Sequence, residues 1–322
     1  MKKTFTGSFR PVKYYIMANK KTLIAIVGPT AVGKTTMAIS LAQYFNTAII
    51  SADSRQFYRE MSIGTAKPNP EELAAAPHYF IDSHSITQEY SAGDFEREAL
   101  LKLEELFQLH DVVIMVGGSG LFVRALCEGL DDLPKAGDEV RERLNHELAV
   151  LGLEALKDRL KRIDPAYFET ADIDNPQRVV RALEVFEATG KPMSFYHKKD
   201  VEKRPFDILT IGLNMDRAKL YERINLRVDL MMKNGLLDEV KALLPFRTKP
   251  ALLTVGYAEL FDYLDGKQSL AEATEKIKQN SRRYAKRQIT WFKKYGYTHW
   301  FQSQETAAII DFIQKELRGE HS

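Results

Sequence analysis

The chain has 322 residues, 44% of them hydrophobic and 28% charged, an ordinary globular composition with room for a large core and for a second, inserted or appended domain. A single cysteine, Cys127, excludes an intrachain disulfide and a cysteine-cluster zinc site and points to a reducing, cytoplasmic setting; no apolar run approaches the length of a membrane span. The formal net charge of +2 conceals two acid-free basic segments, one before Asp53 and one from Lys276 to Gln304, and these suggest a polyanionic partner.

Residues 1 to 20 lack a signal-peptide core and read as a basic, poorly ordered extension, with Met17 just ahead of the first strand. Leu23 to Val27 is a β-rich apolar run, and Gly28, Gly33, Lys34 and Thr35 after it fit G-x-x-x-x-G-K-[ST]. In such a loop the backbone N–H groups turn toward a phosphate, the following helix points its positive end at the same place, Lys34 adds a mobile cation, and the Thr35 hydroxyl is suited to magnesium. The spacing predicts a helix over 34–45 with Met37, Leu41 and Tyr44 on its inner face. A short strand, Ala48 to Ile50, then leads to Asp53, which belongs beside the bound phosphates because ligands of open α/β sheets gather beyond the carboxyl ends of the strands.

Residues 55 to 77 read as a Gly- and Pro-containing loop, His78 to Asp82 as a third strand, and a helix runs from Ser91 or Ala92 to Leu109. Val112 to Val116 is a buried strand ending in Gly117-Gly118-Ser119-Gly120, where a nucleotide-hydrolysing protein usually carries an Asp for magnesium; Asp111 is at the wrong end. The two glycines leave a close-approach loop able to admit something bulky. Cys127 reads as a small buried side chain on a helix.

From about Leu130 to Asp200 the sequence is charged and helical, and a strand resumes at Ile208 to Leu213. Asp216 is an N-cap for a helix with Leu220, Ile224 and Met231 on its inner side, and Arg217 stands in its first turn, where the helix dipole disfavours a cation. A basic helix spans 272–294. Its Arg283 and Arg287 share a face suited to RNA contact or to solvent; Tyr284, Trp291, Phe292 and Tyr295 are interleaved, with Trp291 and Phe292 read as core. Thr298 to Phe301 suits a closing strand. The expected fold is α/β, a P-loop nucleoside-triphosphate-hydrolase-like parallel sheet flanked by helices. Its core is formed by 21–130 and 201–322, with a small helical insertion domain over 131–200.

Eight separated stretches now agree: GPTAVGKT at 28–35, SADSRQFYREMSIGTAKP at 51–68, APHYFID at 76–82, YSAGDF at 90–95, GGSGLF at 117–122, NPQRVVRALEVFEATGKP at 175–192, VGYAEL at 255–260 and RRYAKRQITWF at 282–292. In them the chain resembles the bacterial tRNA dimethylallyltransferases, which prenylate the adenosine on the 3′ side of the anticodon. The resemblance implies that Asp53 is the general base, with Thr30 and Arg217 holding the diphosphate of dimethylallyl diphosphate. It implies a diphosphate loop of Gly28, Pro29, Thr30, Ala31, Val32, Gly33, Lys34 and Thr35, with Mg²⁺ at Thr35. The anticodon stem-loop of tRNA would meet Asp53, Ser54, Arg55, Gln56, Ser119, Arg141, Gln177, Arg178, Val179, Val180 and Arg181, together with Arg283 and Arg287 of the basic helix; Gln56 is a candidate reader of the base edge.

The chain departs from the family's GGTGLY at Ser119, which keeps a hydroxyl, and at Phe122, which loses one. The zinc finger of eukaryotic relatives is absent, and a monomer is expected. Three other readings stay open: an adenylate prenyltransferase acting on free nucleotide, a P-loop small-molecule kinase, and a non-catalytic RNA-binding module.

Overall fold

The computed structural model describes residues 20–131, 133–197, 203–294 and 298–320; of the expected basic extension, residues 1 to 19, Met17 included, lie outside them, as does Tyr295. In chain order the elements are β1 (Thr22–Val27), α1 (Lys34–Phe45), β2 (Ile49–Ser51), α2 (Pro70–Ala75), β3 (His78–Tyr79), α3 (Ala92–Leu109), β4 (Val112–Val116), α4 (Gly120–Glu128), α5 (Asp138–Ile163), α6 (Pro165–Thr170), α7 (Pro176–Thr189), α8 (Met193–Tyr196), β5 (Asp207–Asn214), α9 (Arg217–Lys233), α10 (Leu236–Ala242), α11 (Tyr257–Leu264), α12 (Leu270–Lys293), β6 (Thr298–Gln302) and α13 (Thr306–Arg318). They form two units, Met1–Cys127 with Arg204–Ser322, and Glu128–Lys203.

The first unit is built on a six-stranded, all-parallel sheet in the order β3-β2-β4-β1-β5-β6. Central β1 is apolar on both sides because both sides are covered. Ile24 and Ile26 pack with Leu41 of α1 and with Ile309 and Ile313 of α13, whereas Leu23, Ala25 and Val27 pack with Phe95 and Leu103 of α3. A third cluster joins α9 to α12 through Val228, Leu236, Tyr257 and Ile277. The parallel order sends the loops after β1, β2 and β4 out at one end of the sheet, where β5 also delivers α9. Phe122 packs on Phe57 and Phe95 with ring centroids 5.4 and 5.6 Å apart, so the ring that replaces the family tyrosine serves this apolar cluster. Cys127 is buried in α4.

Two expectations need correction in this unit. The 55–77 loop contains α2, started by a capping box in which Asn69 accepts from Glu72 N at 2.8 Å and Glu72 accepts from Asn69 N at 2.9 Å. The third strand stops at Tyr79 because Phe80 (φ 63°) and Asp82 (φ 54°) turn left-handed, which no strand tolerates.

The second unit is a helical cluster with Leu144, Leu156, Leu160, Leu183 and Tyr167 at its centre. Its long helix α5 is broken at Gly152 (φ 80°).

Candidate active site

The turn from β1 into α1 has the geometry its glycines permit. Gly33 sits at φ 110° as the N-cap of α1 and supplies no side-chain acceptor, so the first-turn N–H groups of the helix are left for an anion. Pro29 and Val32 are buried, and Val32 belongs to the sheet core, so within the loop the polar face comes from the backbone, Thr30, Lys34 and Thr35. The Lys34 ammonium donates to Pro29 O at 2.9 Å. Burial lowers its pKa to about 8; the Asp53 carboxylate opposes that shift and the Arg227 cation adds to it.

Asp53 follows β2 and accepts the Arg55 N–H at 3.1 Å. Its neighbour Ser54 is tied to the loop after β4, since the Ser54 N–H and hydroxyl both lie 3.0 Å from the Ser119 hydroxyl. Tyr284 of α12 faces the same group. Its hydroxyl is pushed up to about 12 by burial first and by the negative charge of Asp53 second, with the Ser119 hydroxyl acting the other way, so it is a neutral donor beside Asp53. Tyr284 as a whole residue is 37% exposed. Gln56 is engaged within the protein: its amide donates to Thr65 O and Ala66 O at 3.2 Å each and lies 3.4 Å from the Ser51 hydroxyl. Reading a base edge would require those bonds to be given up.

The loop that Gln56 holds is fixed from behind by Glu239 of α10. That carboxylate accepts the N–H groups of Ser62, Ile63 and Gly64 at 2.7 to 3.0 Å and the Tyr257 hydroxyl at 2.6 Å.

Arg217, expected at the diphosphate, makes its contacts within its own helix. Arg217 is exposed at the start of α9, where its guanidinium donates to the Tyr221 hydroxyl at 3.1 Å and stacks on that ring. Asp216 caps the helix by accepting Ala218 N and Lys219 N at 3.1 Å, which offsets the dipole argument that singled Arg217 out. Arg227, nearly three turns further on, points inward and donates to the Thr30 hydroxyl at 3.3 Å. Burial depresses its pKa, the Asp53 charge opposes this and Arg223 adds to it; a guanidinium stays charged even so. The readable signal was periodicity: with Leu220, Ile224 and Met231 facing inward, position 227 lies on the same face.

The other residue missed in the sequence is Gln288, 5% exposed and inward on α12 beside Ala285 and Phe292. Its carbonyl accepts the Thr30 N–H at 2.8 Å, and its amide donates to Gly118 O at 2.8 Å. A Cβ on Gly118 would stand 2.4 Å from the Gln288 amide nitrogen. The small residues after β4 thus admit the protein's own helix, which corrects the reading that they make room for something bulky.

Between these parts lies a cavity of about 220 Å³. Thr30, Asp53, Arg55, Arg227 and Tyr284 give it a polar side, and Ile224, Val228, Met231, Val255 and Ile277 an apolar wall. Arg283 and Arg287 lie exposed on α12 on either side of Tyr284 in sequence.

In the second unit, Gln177 and Arg178 are exposed in the first turn of α7 and Arg141 is exposed on α5. Arg181 pairs with Glu184 at 3.2 Å and donates to Pro134 O at 3.1 Å. Val179 and Val180 are core side chains of this unit, and their side chains are not presented to solvent.

Magnesium finds no cluster of three His, Cys, Asp or Glu side chains among the described residues, and Asp111 is bonded to Lys21 at 2.8 Å. The donor set, the Thr35 hydroxyl next to Lys34, fits an ion that brings phosphate oxygens and waters as most of its ligands, the usual habit of magnesium at phosphate sites. Among the described residues no helix is long and apolar enough to cross a membrane.

Comparison with known proteins agrees with this geometry. The family model of IPP transferase matches residues 56–295. A tRNA dimethylallyltransferase of Christiangramia forsetii is 51% identical over 92% of this chain and 98% of its own, and tRNA dimethylallyltransferase 1 of Bacteroides fragilis is 47% identical over 92% and 99%. Among solved structures, the full-length tRNA isopentenylpyrophosphate transferase of Bacillus halodurans superposes with a TM-score of 0.70 at 38% identity, covering 93% of this chain and 98% of that one. A eukaryotic dimethylallyltransferase, described as acting on tRNA, gives 0.74 at 27% identity over 89% and 75%. With its sheet order, phosphate loop and near full-length similarity in agreement, the chain belongs to the IPP transferase family, that of the tRNA dimethylallyltransferases.

Proposed function

We propose that the chain transfers the dimethylallyl group of dimethylallyl diphosphate to N6 of the adenosine 3′ of the anticodon in tRNA, as a monomer in the cytoplasm. The observation that carries the proposal is one cavity with two characters: a phosphate-loop side with Thr30 and Arg227, and an apolar wall of Ile224, Val228, Met231, Val255 and Ile277 of a size for a five-carbon chain.

The diphosphate lies against the first-turn N–H groups of α1, Lys34, Arg227 and the Thr30 hydroxyl. The Thr35 hydroxyl would help to hold magnesium, which would neutralise part of the diphosphate charge. As the allylic C–O bond breaks, negative charge grows on the leaving diphosphate, and the preorganised cations meet it. The N6 lone pair forms the new C–N bond, and Asp53 takes the proton that N6 then sheds, a contribution of about 10²- to 10⁴-fold. Tyr284, neutral and beside Asp53, can orient the carboxylate or the base. Adenine reaches the site unstacked, which costs less from an RNA loop than from a duplex. Ser54, Arg55, Ser119, Arg283 and Arg287 in the first unit, and Arg141, Gln177, Arg178 and Arg181 in the second, are the proposed RNA contacts.

Incubation with radiolabelled dimethylallyl diphosphate and, in parallel, unmodified tRNA, AMP or no acceptor tests the reading. Label on tRNA alone is expected. Label on AMP with none on tRNA would favour the adenylate prenyltransferase, and rapid transfer or hydrolysis of ATP γ-phosphate without labelled tRNA would favour the kinase.

A further inference from the structure

We infer that Gln288 is a positioning residue that links the RNA-facing helix to the diphosphate loop, so that the affinity for prenyl diphosphate depends on whether RNA is engaged; the inference rests on the function proposed above. Helix α12 has two different sides at the same level. Arg283 and Arg287 are exposed, and the residue after Arg287 is buried Gln288. The Gln288 amide is used at both ends, with its oxygen on Thr30 N and its nitrogen on Gly118 O, each at 2.8 Å. One side chain therefore ties the phosphate loop, the loop after β4 and the helix that carries the basic face.

Two further bonds make the same helix a common support for the site. Arg282 donates to Asn225 at 2.6 Å, on the helix that carries Arg227. Tyr284 stands beside Ser119, whose hydroxyl is 3.0 Å from Ser54, the residue after Asp53. Packed elements shift as rigid pieces rather than deform smoothly. A displacement of α12 under load at Arg283 and Arg287 is therefore passed to Thr30 and to Gly118, next to Lys34: a Cβ on Gly118 would be 3.5 Å from the Lys34 ammonium. The Thr30 hydroxyl at the same loop position accepts Arg227, so the diphosphate contacts move with it.

The variant Gln288→Met keeps the volume and removes both hydrogen bonds. Dissociation constants for a non-hydrolysable dimethylallyl diphosphate analogue are measured with and without saturating tRNA, in wild type and in the variant, with thermal unfolding as the check on folding. Coupled sites change each other's affinity by about 5- to 150-fold. Wild type should show at least a fivefold gain with tRNA, and Gln288→Met a ratio near one. Equal weakening in both conditions, with the ratio unchanged, would make Gln288 merely structural and overturn the inference, and so would a wild type whose ratio is one. Should Gln288→Met fail to fold, Gln288→Asn, which keeps both polar groups on a shorter arm, is read by the same ratio. Transfer of label to tRNA by the wild type is scored in parallel, so that loss of the coupling and loss of the activity are told apart.

Discussion

Replacing Arg227 by glutamine should cripple prenyl transfer, whereas the same change at Arg217 should leave it nearly intact. Arg227 is half-buried, bonded to the Thr30 hydroxyl at 3.3 Å and within the field of Asp53. A hydrogen bond to a charged group is worth about 1.5–3 kcal/mol, which corresponds to roughly 10- to 150-fold in binding. Because Arg227 also meets the charge that builds on the leaving diphosphate, kcat should fall as well, and kcat/KM for dimethylallyl diphosphate should drop by about 10²- to 10³-fold. Arg217 touches Tyr221 at the surface, and substitutions at such positions usually change stability by no more than about 0.5 kcal/mol, so a near wild-type rate is expected. Steady-state kinetics with each substrate varied in turn, alongside thermal unfolding of both variants, gives the comparison. An Arg217→Gln enzyme as impaired as Arg227→Gln would refute the assignment and restore the expectation from sequence.

The lowered pKa of Lys34, about 8 against the ordinary 10.5, has opposite consequences for stability and for binding. Between those values the unfolded chain holds a proton that the folded one has lost, so this group's contribution to stability rises with pH; the free enzyme meanwhile loses its phosphate-loop cation, and kcat/KM for prenyl diphosphate should fall above about pH 8. The corresponding limb in kcat should lie higher, because bound diphosphate favours the ammonium; a Lys34→Met enzyme that kept the kcat/KM limb would assign it to another group. Asp53→Asn keeps the shape but accepts no proton, so kcat should fall by about 10²-fold or more with KM values near wild type; a full-rate variant would remove Asp53 as base. Arg283→Ala with Arg287→Ala should reduce the slope of log affinity for tRNA against log salt by roughly 1.4 for two single-strand phosphate contacts, and an unchanged slope would leave these side chains to solvent. Met231→Ala, which deepens the apolar wall, should raise the activity with a ten-carbon prenyl diphosphate relative to the five-carbon one; an unaltered preference would place the chain elsewhere.

Where local sequence dictates local structure, the chain was legible. The run before Gly28 is a fully buried central strand, Ser91 caps α3, Asp216 caps α9, and Thr298 opens the last strand. Asp53, Lys34, Thr30 and Ser119 come together because parallel strands bring their following loops to one end of the sheet. The misses share a cause. Arg227 and Gln288 are polar residues on the inward faces of α9 and α12, and an inward polar position has meaning only once its partner in a distant segment is known: Thr30 lies 197 residues from Arg227 and 258 from Gln288. Arg217 drew attention through a local electrostatic mismatch that its neighbour Asp216 already relieves. Gly118 reads as a place of close approach, but the sequence does not say whether ligand or protein does the approaching.

The most direct test of the account is to map the modified nucleoside. Unmodified tRNA incubated with dimethylallyl diphosphate and either wild-type or Asp53→Asn protein is digested with nuclease, and the fragments are sequenced by mass spectrometry. A single added five-carbon unit on N6 of the adenosine 3′ of the anticodon is expected with wild type, and on the order of a hundredfold less with the variant over the same time. Modification at another nucleoside, or equal modification by both proteins, would contradict it.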